Sequence, residues 1–347
     1  MLQEKSAEID QLQVDLESSQ AKLQQFKNTV LSELQLPSNL VWRRGQDMPY
    51  EMNYHPGAVV LRGKVYVAGG STDFAKSNTV MVYNIQRDNW AMLPQYSFKW
   101  FTMGVVRGQL VLVGGVDPDN KRTNELGVWN ERAREWTHPY PSMPTQRSGA
   151  AVIAHTTADG TPWLVVAGGY SEECTGSCSK VEILDTSTNQ WYSTPLLPIP
   201  MCKMSSAVIG NWCYLLGGLD HLSMTTILQA SLDNLIFLTI LQSARGAASL
   251  TSKENGTESS DSEGKDTPWQ VLCESPSERC TVAAVRGALI AVGGSTIYLY
   301  KSSSQSWEKV GTTLSDRKEC ACTVLPNGEL FVVGGYTHHV DICRTST

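Results

Sequence analysis

The residues with the clearest capacity for chemistry in this 347-residue chain sit at a recurring distance from paired glycines. His55, Trp100, Lys203 and Arg279 each lie 14 residues before the first glycine of a Gly-Gly pair, and Arg147 and Lys318 take the same place once two longer hairpins are allowed for. Four of the six are cationic, which points to recognition of an acidic group. Arg offers a planar fork that grips a carboxylate through two hydrogen bonds, and Lys offers a point charge. Tyr54, Tyr170 and Tyr336, with Trp100, would then serve as apolar anchors around the same bowl, beside Ser71 and Asp220. The competing reading leaves these charges at a solvated rim with no ligand.

Other reactive groups are less organised. The nine cysteines are odd in number and scattered, so they do not form the framework of a small secreted domain, and most are expected to be reduced and buried. Cys174 and Cys178 share a Gly/Ser loop where they would bind metal or oxidise. Cys320, Cys322 and Cys343 with His338 and His339 form a loose cluster, but zinc sites show paired short spacings and the residues around Cys322 read as strand, so no metal is expected there. No phosphate-binding glycine loop and no nucleophile elbow is present. On these grounds the chain is expected not to be an enzyme and to need no cofactor.

The elements that would position the cations are repeats. Apolar runs close on glycine pairs at Gly69-Gly70, Gly114-Gly115, Gly168-Gly169, Gly217-Gly218, Gly293-Gly294 and Gly334-Gly335, at intervals of 45, 54, 49, 76 and 41 residues. A Tyr, Trp or Leu follows most of them, and then, seven residues on, Trp90, Trp136, Trp191 or Trp307; after Gly218 the Trp is delayed to Trp269. A period of 40 to 50 residues built from short β-type runs predicts propeller blades, each unable to bury its own faces, rather than a sandwich with Gly-rich turns. The apolar run suits a strand buried on both faces, and the glycines suit a place where backbone turns with positive φ or packs without a Cβ.

Gly-Gly, an aromatic residue and a Trp seven positions later resemble the Kelch repeat, over roughly residues 41 to 343. The resemblance implies an all-β, six-bladed propeller that hosts protein-binding adaptors and a few enzymes alike. It also implies that Arg147-Ser148-Gly149 matches the place where such adaptors grip acidic peptides. The copper site and the iron-binding Glu/Asp/His series of Kelch enzymes have no counterpart here, nor do the BTB and BACK domains of ligase receptors. The last blade lacks a Trp, and Trp42 lies 27 residues before Gly69, within the 24 to 32 residues that separate the other Trp residues from the next glycine pair. A strand near residues 40–45 is therefore predicted to complete blade six and close the ring, removing unpaired edges.

Two segments fall outside the repeat. In residues 1–36, Leu2, Ile9, Leu16, Leu23 and Val30 recur every seven residues without Gly or Pro, which predicts a helix with a weak coiled-coil seam or one packed on the propeller. Residues 233–266 read as an inserted loop, and Thr251 to Asp266 hold no apolar side chain, so disorder is expected there. A net charge of −6 gives no reason to expect nucleic acid or membrane partners, and with no signal peptide visible the chain reads as cytoplasmic. The expected function is a protein-interaction module, a scaffold or a ubiquitin-ligase substrate receptor, with weak self-association through residues 2–35. The alternatives are a Kelch-fold enzyme such as a sugar-acid isomerase, or an actin-associated protein.

Overall fold

The computed structural model describes residues 40–52, 56–70, 78–217, 226–240, 267–277, 279–317 and 319–344. The helix expected over residues 1–36 with its heptad positions, residues 241–266 of the expected insertion, Tyr54, His55, Ser71, Gly218, Asp220 and Lys318 lie outside the described residues.

Each apolar run becomes the second strand of a four-stranded antiparallel sheet. After β1 (Val41–Gly45), blade one is β2 (Gly57–Leu61), β3 (Lys64–Ala68), β4 (Val80–Asn84) and β5 (Asn89–Met92). Blade two is β6 (Thr102–Val106), β7 (Gln109–Val116), β8 (Arg122–Asn130) and β9 (Glu135–Thr137). Blade three begins with β10 (Ala151–Thr156) and β11 (Pro162–Ala167), passes through a small hairpin, β12 (Tyr170–Ser171) and β13 (Gly176–Ser177), and ends with β14 (Val181–Asp185) and β15 (Gln190–Ser193). Blade four is β16 (Ser205–Ile209), β17 (Trp212–Leu216), β18 (Thr226–Ser231) and β19 (Gln270–Glu274), and blade five is β20 (Thr281–Val285), β21 (Ala288–Gly293), β22 (Thr296–Lys301) and β23 (Ser306–Thr312). Blade six takes β24 (Ala321–Val324), β25 (Leu330–Val333) and β26 (Val340–Arg344) from the end of the chain and β1 from its start. The innermost strands β2, β6, β10, β16, β20 and β24 touch in that order, and β24 touches β2, so the ring is closed.

Closure works as the Trp spacing predicts. Trp42 pairs with Cys343 and Val41 with Arg344 along β1 and β26, and Arg43 and Arg44 add ion pairs to Glu329 and Asp341, each at 3.0 Å. The second strands are buried on both faces: Val65, Val67, Leu164 and Val166 are inaccessible to solvent.

The glycine pairs mark the joint between one blade and the next. Gly115 N–H donates to the Arg147 carbonyl, Gly169 N–H to Met201 and Gly335 N–H to Met52, in each case just ahead of the next blade's innermost strand. A Cβ on Gly114 would stand 2.2 Å from the Arg147 oxygen, and one on Gly168 would stand 2.4 Å from the Met201 oxygen; both residues have φ near +60°. Only glycine permits that approach.

The aromatic pairs form a second, outer joint. Tyr83 faces Trp90, Trp129 faces Trp136 and Tyr300 faces Trp307 across the third and fourth strands, with ring centroids 5.1 to 5.3 Å apart. These indoles and that of Trp191 then donate to carbonyls at or just after the last strand of the preceding blade: Trp90 to Gln46, Trp136 to Pro94, Trp191 to Pro141 and Trp307 to Glu274.

Trp269 departs from this pattern, because it precedes β19 instead of lying within it. It packs in a core with Leu232, Leu235 and Ile236 of a helix over 232–240, the start of the segment expected to be only an inserted loop. Leu232, Leu235, Ile236 and Thr239 are buried while Asp233, Phe237 and Ile240 are exposed, the i, i+3, i+4, i+7 pattern of a helix with one apolar stripe. Among the described residues no helix is long and apolar enough to cross a membrane.

Candidate functional site

The innermost strands carry small residues toward the axis, among them Ala58, Gly104, Ala154, Ser206 and Thr281, and so leave a channel of about 950 Å³. Around one mouth of it, the residue two positions before the innermost strand adopts a left-handed backbone in the five blades where it is described: Trp100 (φ 55°), Gly149 (60°), Lys203 (52°), Arg279 (56°) and Glu319 (57°). These five are the structurally equivalent positions. The residues after the glycine pairs reach the same face, because the first two strands of a blade run antiparallel, so Tyr170 and Tyr336 stand beside that ring.

Arg147 is therefore corrected, while Lys318 lies outside the described residues. Counting back from the glycine pairs through hairpins of different length gave Arg147 and Lys318 for blades three and six, whereas the equivalent residues are Gly149 and Glu319. Arg147 is 0% exposed. Its Nη1 donates to the carbonyls of Gly168 and Lys180 at 2.7 and 3.0 Å, and its Nη2 pairs with Glu182 at 2.8 Å. Arg317, also two residues ahead of its ring position, does the same in blade six, bonding the carbonyls of Gly334 and His339 and pairing with Asp341. Both arginines are clamps that hold the end of the second strand against the start of the third, and no acidic ligand can reach them. Arg279 sits at the rim but is held at 2.6 Å by Glu319, which is itself buried.

What the mouth offers instead is aromatic surface. Trp100, Tyr170 and Tyr336 are 41%, 40% and 44% exposed, against the burial usual for such large rings. Lys99 Nζ lies 5.2 Å from the centre of the Trp100 ring, and the Arg122 guanidinium lies 4.1 Å from that of Tyr170, while Arg122 also pairs with Glu172. These cation–π contacts hold the rings in place while leaving a face to solvent. Lys203 is exposed and has no ion-pair partner among the described residues. Sequence reasoning missed Arg122, which lies on a third strand and carries no periodic signal.

The cysteines divide differently from their grouping in sequence. Cys174 and Cys178 form a disulfide across the β12–β13 hairpin. Cys280, Cys320 and Cys322 line the channel wall and Cys343 lies in the core, all well shielded. Burial pushes the Cys320 and Cys213 thiols up to about 12, so they stay protonated and unreactive at neutral pH. His338 and His339 leave that group altogether and meet Asp47.

The Kelch motif is matched at residues 52–95 and 164–195. The chain is similar to human Kelch-like protein 23, 26% identical over 195 residues, covering 54% of this chain and 34% of that protein. It is also similar to Kelch-like protein terF of Aspergillus terreus, 26% identical over 191 residues (49% and 39%), and to alpha-scruin of Limulus polyphemus, 26% identical over 183 residues (49% and 19%). The matched stretch thus spans about a third of the length of the first two of these relatives, and less of the third. Among solved structures, YjhT shares the fold with a TM-score of 0.62 at 14% identity, covering 86% of this chain and 95% of its own.

That likeness also corrects the expectation that the chain is not an enzyme. The expectation rested on missing motifs, and a fold shared with YjhT over nearly its whole length does not support the exclusion, which is withdrawn. The repeated glycine and Trp joints, the six blades they build and the relatives named for the same motif agree: the chain carries the Kelch motif and folds as a six-bladed propeller of that type.

Proposed function

We propose that the propeller is a protein-interaction module whose channel mouth receives a loop or peptide of a partner protein. The observation that carries this reading is the half-exposed pair of rings at the channel opening, Trp100 and Tyr170, with the equally exposed Tyr336 in the place of blade six that Tyr170 takes in blade three. Trp100 keeps a bulky side chain on left-handed backbone where blade three has Gly149, and Tyr336 is left-handed as well. A bulky residue kept at such a position costs of order 1–3 kcal/mol, strain that clusters at binding sites. The rings supply rigid apolar area with little rotamer entropy to lose, the usual make-up of an interface hot spot. Lys203, with Arg122 and Arg279 tethered to their glutamates, biases the mouth toward acidic side chains without making it a strong carboxylate clamp.

In this reading the propeller is the receptor half of a cytoplasmic scaffold or of a ubiquitin-ligase substrate receptor, and residues 2–35 provide weak self-association. Relatives named Kelch-like protein and scruin support the general role. The test is affinity capture with the full chain against a Trp100→Ala/Tyr170→Ala variant, quantified by mass spectrometry. Loss of a discrete set of proteins from the variant at unchanged melting temperature is the expected result. Identical captured sets would overturn the assignment of the mouth.

A further inference from the structure

Away from the channel, three side chains with ligand atoms converge where the two ends of the ring meet. Asp47 follows the closing strand β1, and His338 and His339 precede β26, the strand that β1 pairs with. Asp47 Oδ1 lies 3.0 Å from His339 Nδ1, and Asp47 Oδ2 lies 3.3 Å from His338 Nε2. One ligand atom from each of the three falls within 4.8 Å of the others. With metal–ligand bonds of about 2.1 Å, a tetrahedral zinc ion holds neighbouring ligand atoms about 3.4 Å apart. Each histidine nitrogen already stands near that distance from an Asp47 oxygen, and side-chain rotation within the 4.8 Å limit brings the three donors onto one ion.

The backbone beneath these side chains is fixed on both sides of the seam. Met48 N–H donates to the His338 carbonyl at 2.7 Å, Arg317 donates to the His339 carbonyl at 2.9 Å, and His339 N–H donates to Thr337 Oγ1 at 3.2 Å. The remaining ring nitrogen of His338, Nδ1, faces Glu51 Oε1 at 4.0 Å. That distance is too long for a hydrogen bond, so Glu51 adds negative charge beside the cluster without fixing the His338 tautomer.

We propose that Asp47, His338 and His339 bind one divalent transition-metal ion, zinc in the first instance, with water filling the fourth position. Two imidazoles and a carboxylate suit zinc better than magnesium or calcium, which take oxygen ligands. The three side chains are 38% to 45% exposed, so an ion reaches them without opening the fold. It would join residues 292 apart in sequence and reinforce the strand pairing that closes the ring.

The experiment titrates the full chain, stripped with a chelator, with Co²⁺ and then Zn²⁺, following the visible spectrum and the melting temperature. One equivalent of Co²⁺ is expected to give a ligand-field spectrum of nitrogen and oxygen donors without a thiolate charge-transfer band, and Zn²⁺ is expected to displace it. At hundredfold excess over Kd the ion should raise the melting temperature by about 5 °C. His339→Ala and Asp47→Asn each retain every cysteine and should weaken Co²⁺ binding at least tenfold and abolish the thermal gain. A variant that fails to fold is replaced by His338→Gln, read the same way. Unchanged affinity in these variants, a thiolate band that persists in them, or no binding at micromolar Zn²⁺ overturns the site and leaves Asp47 as a hydrogen-bonding partner of the two histidines.

Discussion

Arg147 shows how far a residue's type can mislead about its role. An arginine beside a channel mouth suggests carboxylate recognition, yet this one spends its donors on two backbone carbonyls and on Glu182. Arg147→Ala is expected to cost about 3–5 kcal/mol in urea denaturation, because Glu182, 2% exposed, would be left buried without its cation. Arg317→Ala should cost less, since Asp341 keeps Arg44 as a second partner at 3.0 Å. Equal losses for the two, or a negligible loss for Arg147→Ala, would show that the clamp is not what holds these blades. The exposed aromatics were legible from sequence because Tyr170 and Tyr336 follow glycine pairs directly and Trp100 keeps the recurring distance of 14 residues from one. The clamp was not, since sequence spacing is counted along the chain and an unknown hairpin length shifts the count by one or two residues. Of the residues expected at the rim, Trp100, Tyr170 and Lys203 line the channel, while Arg147 is fully buried.

At the level of the blade, the repeat was readable because the same physical problem recurs six times: a strand buried on both faces must end against the backbone of its neighbour. Gly168 illustrates the constraint, with φ at +61° and the Met201 carbonyl oxygen 2.4 Å from where a Cβ would stand. Gly168→Ala should therefore cost well over 1 kcal/mol, combining left-handed strain with a backbone clash that no side-chain rotation relieves. The checking measurement is the urea midpoint, alongside Gly160→Ala, a positive-φ glycine with nothing within 4 Å of its would-be Cβ. A similar loss at both positions would mean that strain alone, and not the joint between blades, sets the cost. The helix over 232–240 was the element least visible in sequence. Its apolar stripe is short and lies within an insertion, so the repeat gave it no context, and only packing against Trp269 identifies it.

For the molecule as a whole, the ring depends on a strand supplied from the other end of the chain. Deleting residues 40–45 should remove the partner of β26, leave Asp341 and Glu329 without Arg44 and Arg43, and unfold the propeller cooperatively. An unchanged melting temperature in the truncated protein would refute closure as a source of stability. The buried acids make a separate statement about pH. Burial holds Cys213, Cys320 and Tyr214 at about 12, above the roughly 8.5 of a free thiol and 10 of a free tyrosine. Between those values the unfolded chain has released protons that the native state retains, so the native state binds more, and stability must fall as pH rises from about 8.5 to about 12. Urea midpoints at pH 8 and pH 10.5 should show this decline; a flat profile would mean that the thiols and the phenol are solvated in the native state.

The pairing of Val41 with Arg344 has one more consequence. Because the two residues lie side by side in an antiparallel ladder, a two-residue Asn-Gly turn suffices to splice them into an ordinary hairpin. The chain could then be cut elsewhere, for instance between Asp159 and Gly160 in the exposed turn joining β10 to β11. A protein rearranged in this way, with blade three straddling the new ends, should reach the same native structure, since the ring has no physical beginning.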